Sequence, residues 1–356
     1  MSQTFKQKTP RRRLKKIKKD PRPVEISWGG GSYPTIIVYS DGSKSLGSCV
    51  HCNNPPCMEY ADNELSLQFF REFPFDRNDT VCPTGALFWP HDADCPQIDK
   101  ELCICCGICV TRCPAYAMSL SRSGAEINDA VNDHFLYADT KSSEDNSSDL
   151  KKFFFEVKES GLILVESDKL IESIYKRLIS LAPSLDAQFP NHFTRNLLMA
   201  VGLKTAMRRR GDTNLRMDLL FEKNGSGGTG EVEFSTVTLL DAPRNVLDNV
   251  AVLVARYGLK KENIMPIIVS LSLPNQRSEY WQVIEDISRV LDIKISSITI
   301  GILMMMVWSR YKFLAALSND FFVAPGTYSL RKNIEGVLNR QVRIDSGFLG
   351  IIESSK

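Results

Sequence analysis

The sequence predicts an α+β protein in two parts: a small cysteine-rich domain, then an α/β domain built around a central mixed sheet. Three observations carry this reading. All ten cysteines fall between Cys49 and Cys113, and none follows. Residues 138–152 are rich in Ser, Asp and Lys with almost nothing to bury, as linkers are. Beyond them, strand-like and helical periodicities alternate, the pattern of helices packed on a sheet. The chain is thus expected to divide into a basic arm over 1–25, a cysteine domain over 26–137, a linker over 138–152 and an α/β domain over 153–356.

At 356 residues the chain is long enough for two cores, and 43% apolar with 24% charged residues is ordinary for a globular protein. A net charge of +2 provides no global field toward a polyanion. The charge is uneven, however, because RRRLKKIKK (Arg11 to Lys19) places seven basic residues in nine positions. That arm reads either as a solvated tail or as a strap along phosphates. No apolar stretch follows the basic first twenty residues, so no secretory leader is expected. No run approaches the ~18 apolar residues of a membrane span, and a cytoplasmic protein without membrane attachment is expected.

TIIVYSDG, within residues 24–48, predicts a strand and turn leading into the first cysteines. Next comes an internal repeat over 49–118. CVHCNNPPC supplies Cys49, Cys52 and Cys57, and CICCGICVTRCP supplies Cys103, Cys106, Cys109 and Cys113. The fourth Cys of each half precedes a Pro, in CPTGAL at Cys82 and CPAYAM at Cys113. A disulfide framework has no reason to crowd into one fifth of a chain; a metal-binding domain does. Three thiolates spaced by two residues, with a distant Cys-Pro, make the set that wraps two cubanes with crossed fourth ligands. Cys49, Cys52, Cys57 and Cys113 would then hold one 4Fe–4S cluster, and Cys82, Cys103, Cys106 and Cys109 the other. Two zinc sites would also use four thiolates each, but the Cys-Pro signature favours iron and sulfide.

This region resembles the bacterial dicluster ferredoxins, and its Cys-x-x-Cys-x-x-x-x-Cys spacing is most similar to the ferredoxin subunits of molybdopterin oxidoreductases. The resemblance implies two 4Fe–4S clusters and a protein partner for electron transfer. Two departures stand out. An insert of 24 residues containing NELSLQFFREF separates Cys57 from Cys82 where such ferredoxins have three. It leaves Cys95, also followed by Pro, as an alternative to Cys82. Cys105 replaces the usual Gly and is surplus to the ligand set.

In the second domain GLILVES predicts a strand, and Leu170, Ile171, Ile174, Leu178 and Leu181 recur at helical spacing. A further helix is expected from about Thr194 to Arg210, stopping at Gly211. A hairpin follows, LRMDLLFEK and EVEFSTV joined by the glycine-rich loop NGSGGTG, read as a turn and not as a phosphate cradle. Asp241 is placed to cap a helix carrying Val246, Leu247, Val250 and Val254 and ending at Gly258. IMPIIVSLSL is a buried strand, Tyr280, Ile284, Ile287 and Leu291 mark a helix, and SITIGILMMMV is another strand.

Side chains alternate along a strand, so Glu231 and Glu233 share one face of the hairpin, and Asp218 sits on the partner strand. Three carboxylates on one side of a sheet could take a hard cation such as Mg²⁺ and activate water, although such residues are more often a solvated face. The stretch from Thr194 to Val307 resembles the PD-(D/E)XK nuclease-like superfamily, the restriction-endonuclease fold, with Asp218 as the motif Asp and Glu231 and Glu233 near Glu-x-Lys. The resemblance implies Mg²⁺-dependent phosphodiester cleavage. No Lys stands two positions after either Glu, which leaves Lys204 and Lys223 as stand-ins. Three functions therefore fit the sequence: a redox component with a protein partner, a metal-dependent nuclease, and a nucleic-acid-binding subunit using Arg11 to Lys19 and Arg208, Arg209 and Arg210.

Overall fold

The structure, a computed structural model, describes residues 49, 55–60, 75–76, 78–93, 95–113, 117–121, 124–127, 168–211, 216–223, 226–308, 326–338 and 350–356. The basic arm, the two strands expected at TIIVYSDG and GLILVES, and the segment 138–152 lie outside the described residues. The chain gathers into two compact units, one of Met1–Ala61 with Thr80–Ile163 and the other of Asp62–Asp79 with Leu164–Lys356. Asp62–Asp79, lying between Cys57 and Cys82, thus leaves the cysteine unit and belongs with the sheet.

In the first unit β1 (Leu87–Phe88) pairs antiparallel with β2 (Gln97–Ile98), Leu87 opposite Ile98. Asp99 then folds the chain back, because its carboxylate accepts from the amides of Glu101 at 2.8 Å and Leu102 at 3.3 Å. The turn delivers Cys103 to the start of the short helix α1 (Ile108–Arg112). β3 (Met118–Ser121) and β4 (Gly124–Ile127) close a hairpin beside it. Val81, Leu87, Ile104, Ile108, Val110, Ala117, Met118 and Ala125 are all buried, so the small core forms directly around the cysteine loops.

The second unit is a five-stranded sheet in the order β5-β6-β7-β8-β9. After helices α2 (Asp168–Leu181) and α3 (Phe189–Ala200), strands β5 (Lys204–Met207), β6 (Leu219–Lys223) and β7 (Ser226–Glu233) form an antiparallel meander. Helix α4 (Ala242–Tyr257) then crosses to β8 (Ile264–Ser270), which is parallel to β7. Helix α5 (Glu279–Leu291) crosses to β9 (Ser296–Thr299), parallel to β8. Helix α6 (Ile300–Trp308) follows without a break, and α7 (Arg331–Leu338) comes last. All seven residues of β8 are buried, as expected of a central parallel strand covered on both faces.

Three elements differ from the sequence expectation, each for a physical reason. The helix expected over 194–210 spans Phe189–Ala200 and stops because Gly202 turns the chain at φ +102°, a conformation that L side chains rarely adopt. Residues 204–207 are then strand β5. The glycine-rich NGSGGTG is not a turn from end to end, since Ser226 to Gly230 already belong to β7 and Gly227 to Gly230 are paired on both sides. A Cβ at Gly228 would stand 2.1 Å from the Phe221 ring and 2.8 Å from the carbonyl oxygen of Met265, so only glycine fits. The apolar run from Ile298 divides into a strand and a helix. Thr299 Oγ1 accepts from the amide of Ile302 at 3.4 Å as a helix start, and α6 is buried all round.

Candidate functional site

The thiols of the second cysteine motif are assembled by local backbone geometry. Cys105 adopts φ +57° and Gly107 φ +78°, so the loop makes two left-handed turns before α1 begins. Cys105 stands where a glycine is usual and accepts the strained conformation, with its side chain buried. Beside this loop lies a recess that opens partly to solvent. Cys82, Cys103, Cys106 and Cys109 all line it, together with Thr84, Leu87, Ile98 and Ala125. Cys95 is not among the lining residues.

Backbone amides are aimed at two of these sulfurs. Leu87 donates its amide to Cys82 Sγ at 3.4 Å, and Ala125 donates to Cys103 Sγ at 3.3 Å. Cys82 Sγ is also 3.5 Å from the Thr84 hydroxyl. Burial raises the pKa of Cys106, and the neighbouring Cys82 and Cys103 raise it further. Cys109 is pushed well up by burial and then by Cys106, Cys82, Cys103 and Cys57. Crowded, buried thiols with directed amides form an unfavourable set of anions until positive charge is supplied, which is what a metal core does. Among the described residues no group of three or more His, Cys, Asp or Glu is placed to hold a metal ion. Thiolates on a single zinc would stand about 3.8 Å apart, from Zn–S bonds of about 2.3 Å in a tetrahedron. Around a cubane each thiolate binds a different iron and stands further from its neighbours. Four thiols lining one recess make up the donor set that a cubane uses.

The other predicted set is described only in part. Cys57 and Cys113 are buried, Cys49 is half-buried, and Cys52 lies outside the described residues. The amide of Ala117 donates to Cys113 Sγ at 3.3 Å. Arg112 Nε donates to the carbonyl of Pro56 at 2.6 Å and Nη2 to that of Glu59 at 3.3 Å, while its guanidinium lies over the Tyr60 ring. That clamp ties the end of α1, one residue before Cys113, to the loop carrying Cys57. None of the nine described cysteines is in a disulfide.

In the second unit Asp218 precedes β6, and Glu231 and Glu233 lie on β7. Asp218 Oδ2 accepts from the amide of Val232 at 3.1 Å, and Oδ1 accepts from Asn191 Nδ2 at 3.0 Å. Arg208 Nη2 is 3.6 Å from the same Oδ1. Glu231 is buried, and its two oxygens accept from Asn245 Nδ2 at 3.1 Å and Asn249 Nδ2 at 3.3 Å, two positions one turn apart on α4. Burial and the nearby Asp218 push the Glu231 pKa up to about 8. Burial likewise raises Asp218 against the opposing pull of Val232, Arg208 and Asn191. Glu233, held by the Thr238 hydroxyl at 2.5 Å, is raised by burial and then by Asp218 and Asp241. The three carboxylates therefore sense one another electrostatically.

Sequence reasoning missed Asn191, Asn245 and Asn249, because amides on helices read as solvated residues. Lys204 is exposed and four residues before Arg208, whose amide donates to the carbonyl of Asp218, so it stands about 13 Å up the strand from Asp218. Lys223 ends β6 four residues beyond Leu219. Arg208, not either lysine, is the cation beside Asp218. Of the three arginines expected to meet phosphate, Arg208 faces Asp218, Arg210 pairs with Asp186 at 2.7 Å, and Arg209 is exposed.

No family model matches the chain, and no solved structure matches it. Part of the chain is similar to curated proteins. Over 89 residues it is 29% identical to the uncharacterized ferredoxin-like protein YdhY of Escherichia coli, covering 25% of this chain and 30% of that one. Over 67 residues it is 33% identical to the NrfC homolog of Haemophilus influenzae, 19% of this chain and 20% of the relative. Over 74 residues it is 32% identical to the thiosulfate reductase electron transfer subunit PhsB of Salmonella typhi, 21% and 27% respectively. The chain spans less than a third of the length of these relatives, and what it shares with them is a ferredoxin-like region.

Proposed function

We propose that this protein is an iron–sulfur protein of the dicluster ferredoxin type, an electron-transfer or redox-sensing component that works with a protein partner. The observation that carries the reading is the single recess lined by Cys82, Cys103, Cys106 and Cys109, three from one motif and the fourth from a distant Cys-Pro. The second 4Fe–4S set is Cys49, Cys52, Cys57 and Cys113. A cubane, when bound, supplies a one-electron couple. The chain's part is to hold the thiolates, to aim the amides of Leu87 and Ala125 at the sulfurs and to flank them with the apolar side chains of Leu87, Ile98, Ile104 and Ala125. Amides directed at sulfur and a buried setting tune the potential in opposite senses. Similarity to an electron transfer subunit supports a partner protein in a larger assembly. Electron paramagnetic resonance of the chemically reduced protein tests the reading: signals of two reduced cubanes are expected, and a protein with no reducible centre contradicts it.

A second reading concerns the other unit: a nuclease-like fold using Mg²⁺ at Asp218, Glu231 and Glu233, with the clusters structural or regulatory. The succession α3, β5-β6-β7 antiparallel, α4 and a parallel β8 supports it, with Asp218 just before β6 and Glu231 on the adjacent β7. Against it, no Lys follows Glu231, and amides already occupy both of its oxygens. Cleavage of DNA by the wild type with Mg²⁺, abolished in Asp218→Asn, is the expected result of this reading; no cleavage by the wild type contradicts it.

A further inference from the structure

The register of the sheet sets Arg208 against Asp218. The amide of Arg208 donates to the carbonyl of Asp218 at 3.1 Å, one step beyond the pair of Met207 and Leu219. On its other side Arg208 bridges Phe75 in antiparallel fashion, and Phe75 packs against the core of Ala206, Met217 and Leu220. Two neighbours therefore hold the backbone from which the guanidinium extends, and strand pairing fixes its place beside Asp218. Opposite charges directly across a strand pair attract. Arg208 is 32% and Asp218 13% exposed, so solvent screens this pair less than one on the open surface.

Asp218 reaches the stretch of β7 that carries the two glutamates. Its Oδ2 accepts from the amide of Val232, the residue between Glu231 and Glu233, and its charge acts on both. A nuclease-like site would place Mg²⁺ here, but the donor set does not fit that ion. Both Asp218 oxygens already accept hydrogen bonds, from Val232 and Asn191, and Oδ1 also faces the guanidinium. Each Glu231 oxygen accepts from an asparagine of α4, and Glu233 accepts from Thr238. An Mg²⁺ about 2.1 Å from Asp218 Oδ1 would share that oxygen with Arg208, like charge against like. Among the described residues, these three carboxylates included, no group is placed to hold a metal ion.

We infer that Arg208 is the built-in cation of this cluster, standing in for the divalent metal of a nuclease-like site, and that the native site takes up no such metal. The nuclease-like fold is kept here without its metal, contrary to the Mg²⁺ reading above and independent of the iron–sulfur reading. A cryptic cation site follows. Neutralising Arg208 removes the competing charge and leaves Asp218, Glu231 and Glu233 to share a hard cation.

Titration of the full-length protein with Mn²⁺, the free ion read by paramagnetic resonance, tests this. At millimolar Mn²⁺, wild type should show no uptake that Asp218→Asn removes. Arg208→Gln should take up Mn²⁺ at concentrations about tenfold or more below the highest that leaves wild type unoccupied, because a unit charge ~4 Å away has gone. Adding Asp218→Asn should abolish that gain. Arg209→Gln, which removes an exposed charge one residue along, should behave as wild type. Circular dichroism checks the folding of each variant. The unfolding midpoint of wild type, which Mg²⁺ should leave unchanged, is a readout that needs no Arg208 variant. Wild-type uptake that Asp218→Asn removes overturns the inference and returns the unit to the Mg²⁺ reading, as does a midpoint raised by Mg²⁺ in wild type but not in Asp218→Asn. No gain in folded Arg208→Gln also overturns it, and so does an equal gain in Arg209→Gln. Iron and sulfide are counted on every sample, and uptake at an unloaded cysteine site is set apart because it survives Asp218→Asn.

Discussion

Arg112 and Tyr60 stack with the guanidinium 3.9 Å from the ring centroid, and the same guanidinium donates to the carbonyls of Pro56 and Glu59. These contacts join stretches more than fifty residues apart, one bearing Cys57 and the other Cys113. The two stretches are thus tied together by a side chain that is not itself a proposed ligand.

Arg112→Ala should therefore destabilise the cysteine unit by about 1–3 kcal/mol, the range for charged hydrogen bonds and a cation–π contact. Thermal denaturation followed through the cluster absorbance checks this, and Arg112→Lys should recover only part of the loss, since a lysine cannot serve two carbonyls and the ring at once.

The ligand sets make a selective prediction. Cys82→Ser should damage the centre of Cys103, Cys106 and Cys109 and spare its neighbour, whereas Cys113→Ser should do the reverse. Cys95→Ser should leave both intact, because Cys95 does not line the recess. Resonance Raman or paramagnetic resonance of the three variants distinguishes them.

The thiol pattern was legible in sequence because three-plus-one spacing is a local signal with a strict geometric demand. Cys82 and Cys95 are each followed by Pro, and spacing alone did not separate them; in the fold Cys82 lines the recess and Cys95 does not. The destination of the insert was not legible: Phe75 finds Arg208 across more than 130 residues, and no local pattern announces that. The expected helix over 194–210 failed because apolar periodicity ran past Gly202, where the backbone turns. Glu231 and Glu233 read either as a candidate cation site or as a solvated face; only the fold shows Glu231 to be buried between two asparagines of α4.

Gly228 tests the account of β7. Gly228→Ala should cost about 1–3 kcal/mol or more, because the new methyl meets both the Phe221 ring and a backbone carbonyl that cannot swing away. Gly230→Ala, whose Cβ would first meet Leu219 at 3.3 Å, should cost less. Urea denaturation of the two variants provides the comparison.

Glu231 gives the second unit a pH dependence of defined sign. Its folded pKa of about 8 lies above the ordinary 4.5, so the folded state holds a proton that the unfolded state has released between those values. Stability from this group is present below about 4.5, falls as pH rises, and is fully lost above about 8. Glu231→Gln should flatten that slope in thermal unfolding measured from pH 5 to pH 8; an unchanged slope assigns the dependence to another group.

The central claim is that the eight cysteines Cys49, Cys52, Cys57, Cys82, Cys103, Cys106, Cys109 and Cys113 carry two cubanes. Metal and sulfide analysis of anaerobically purified protein tests it most directly. About eight iron and eight labile sulfide per chain are expected, four of each per cubane. Two zinc ions with no labile sulfide would contradict it.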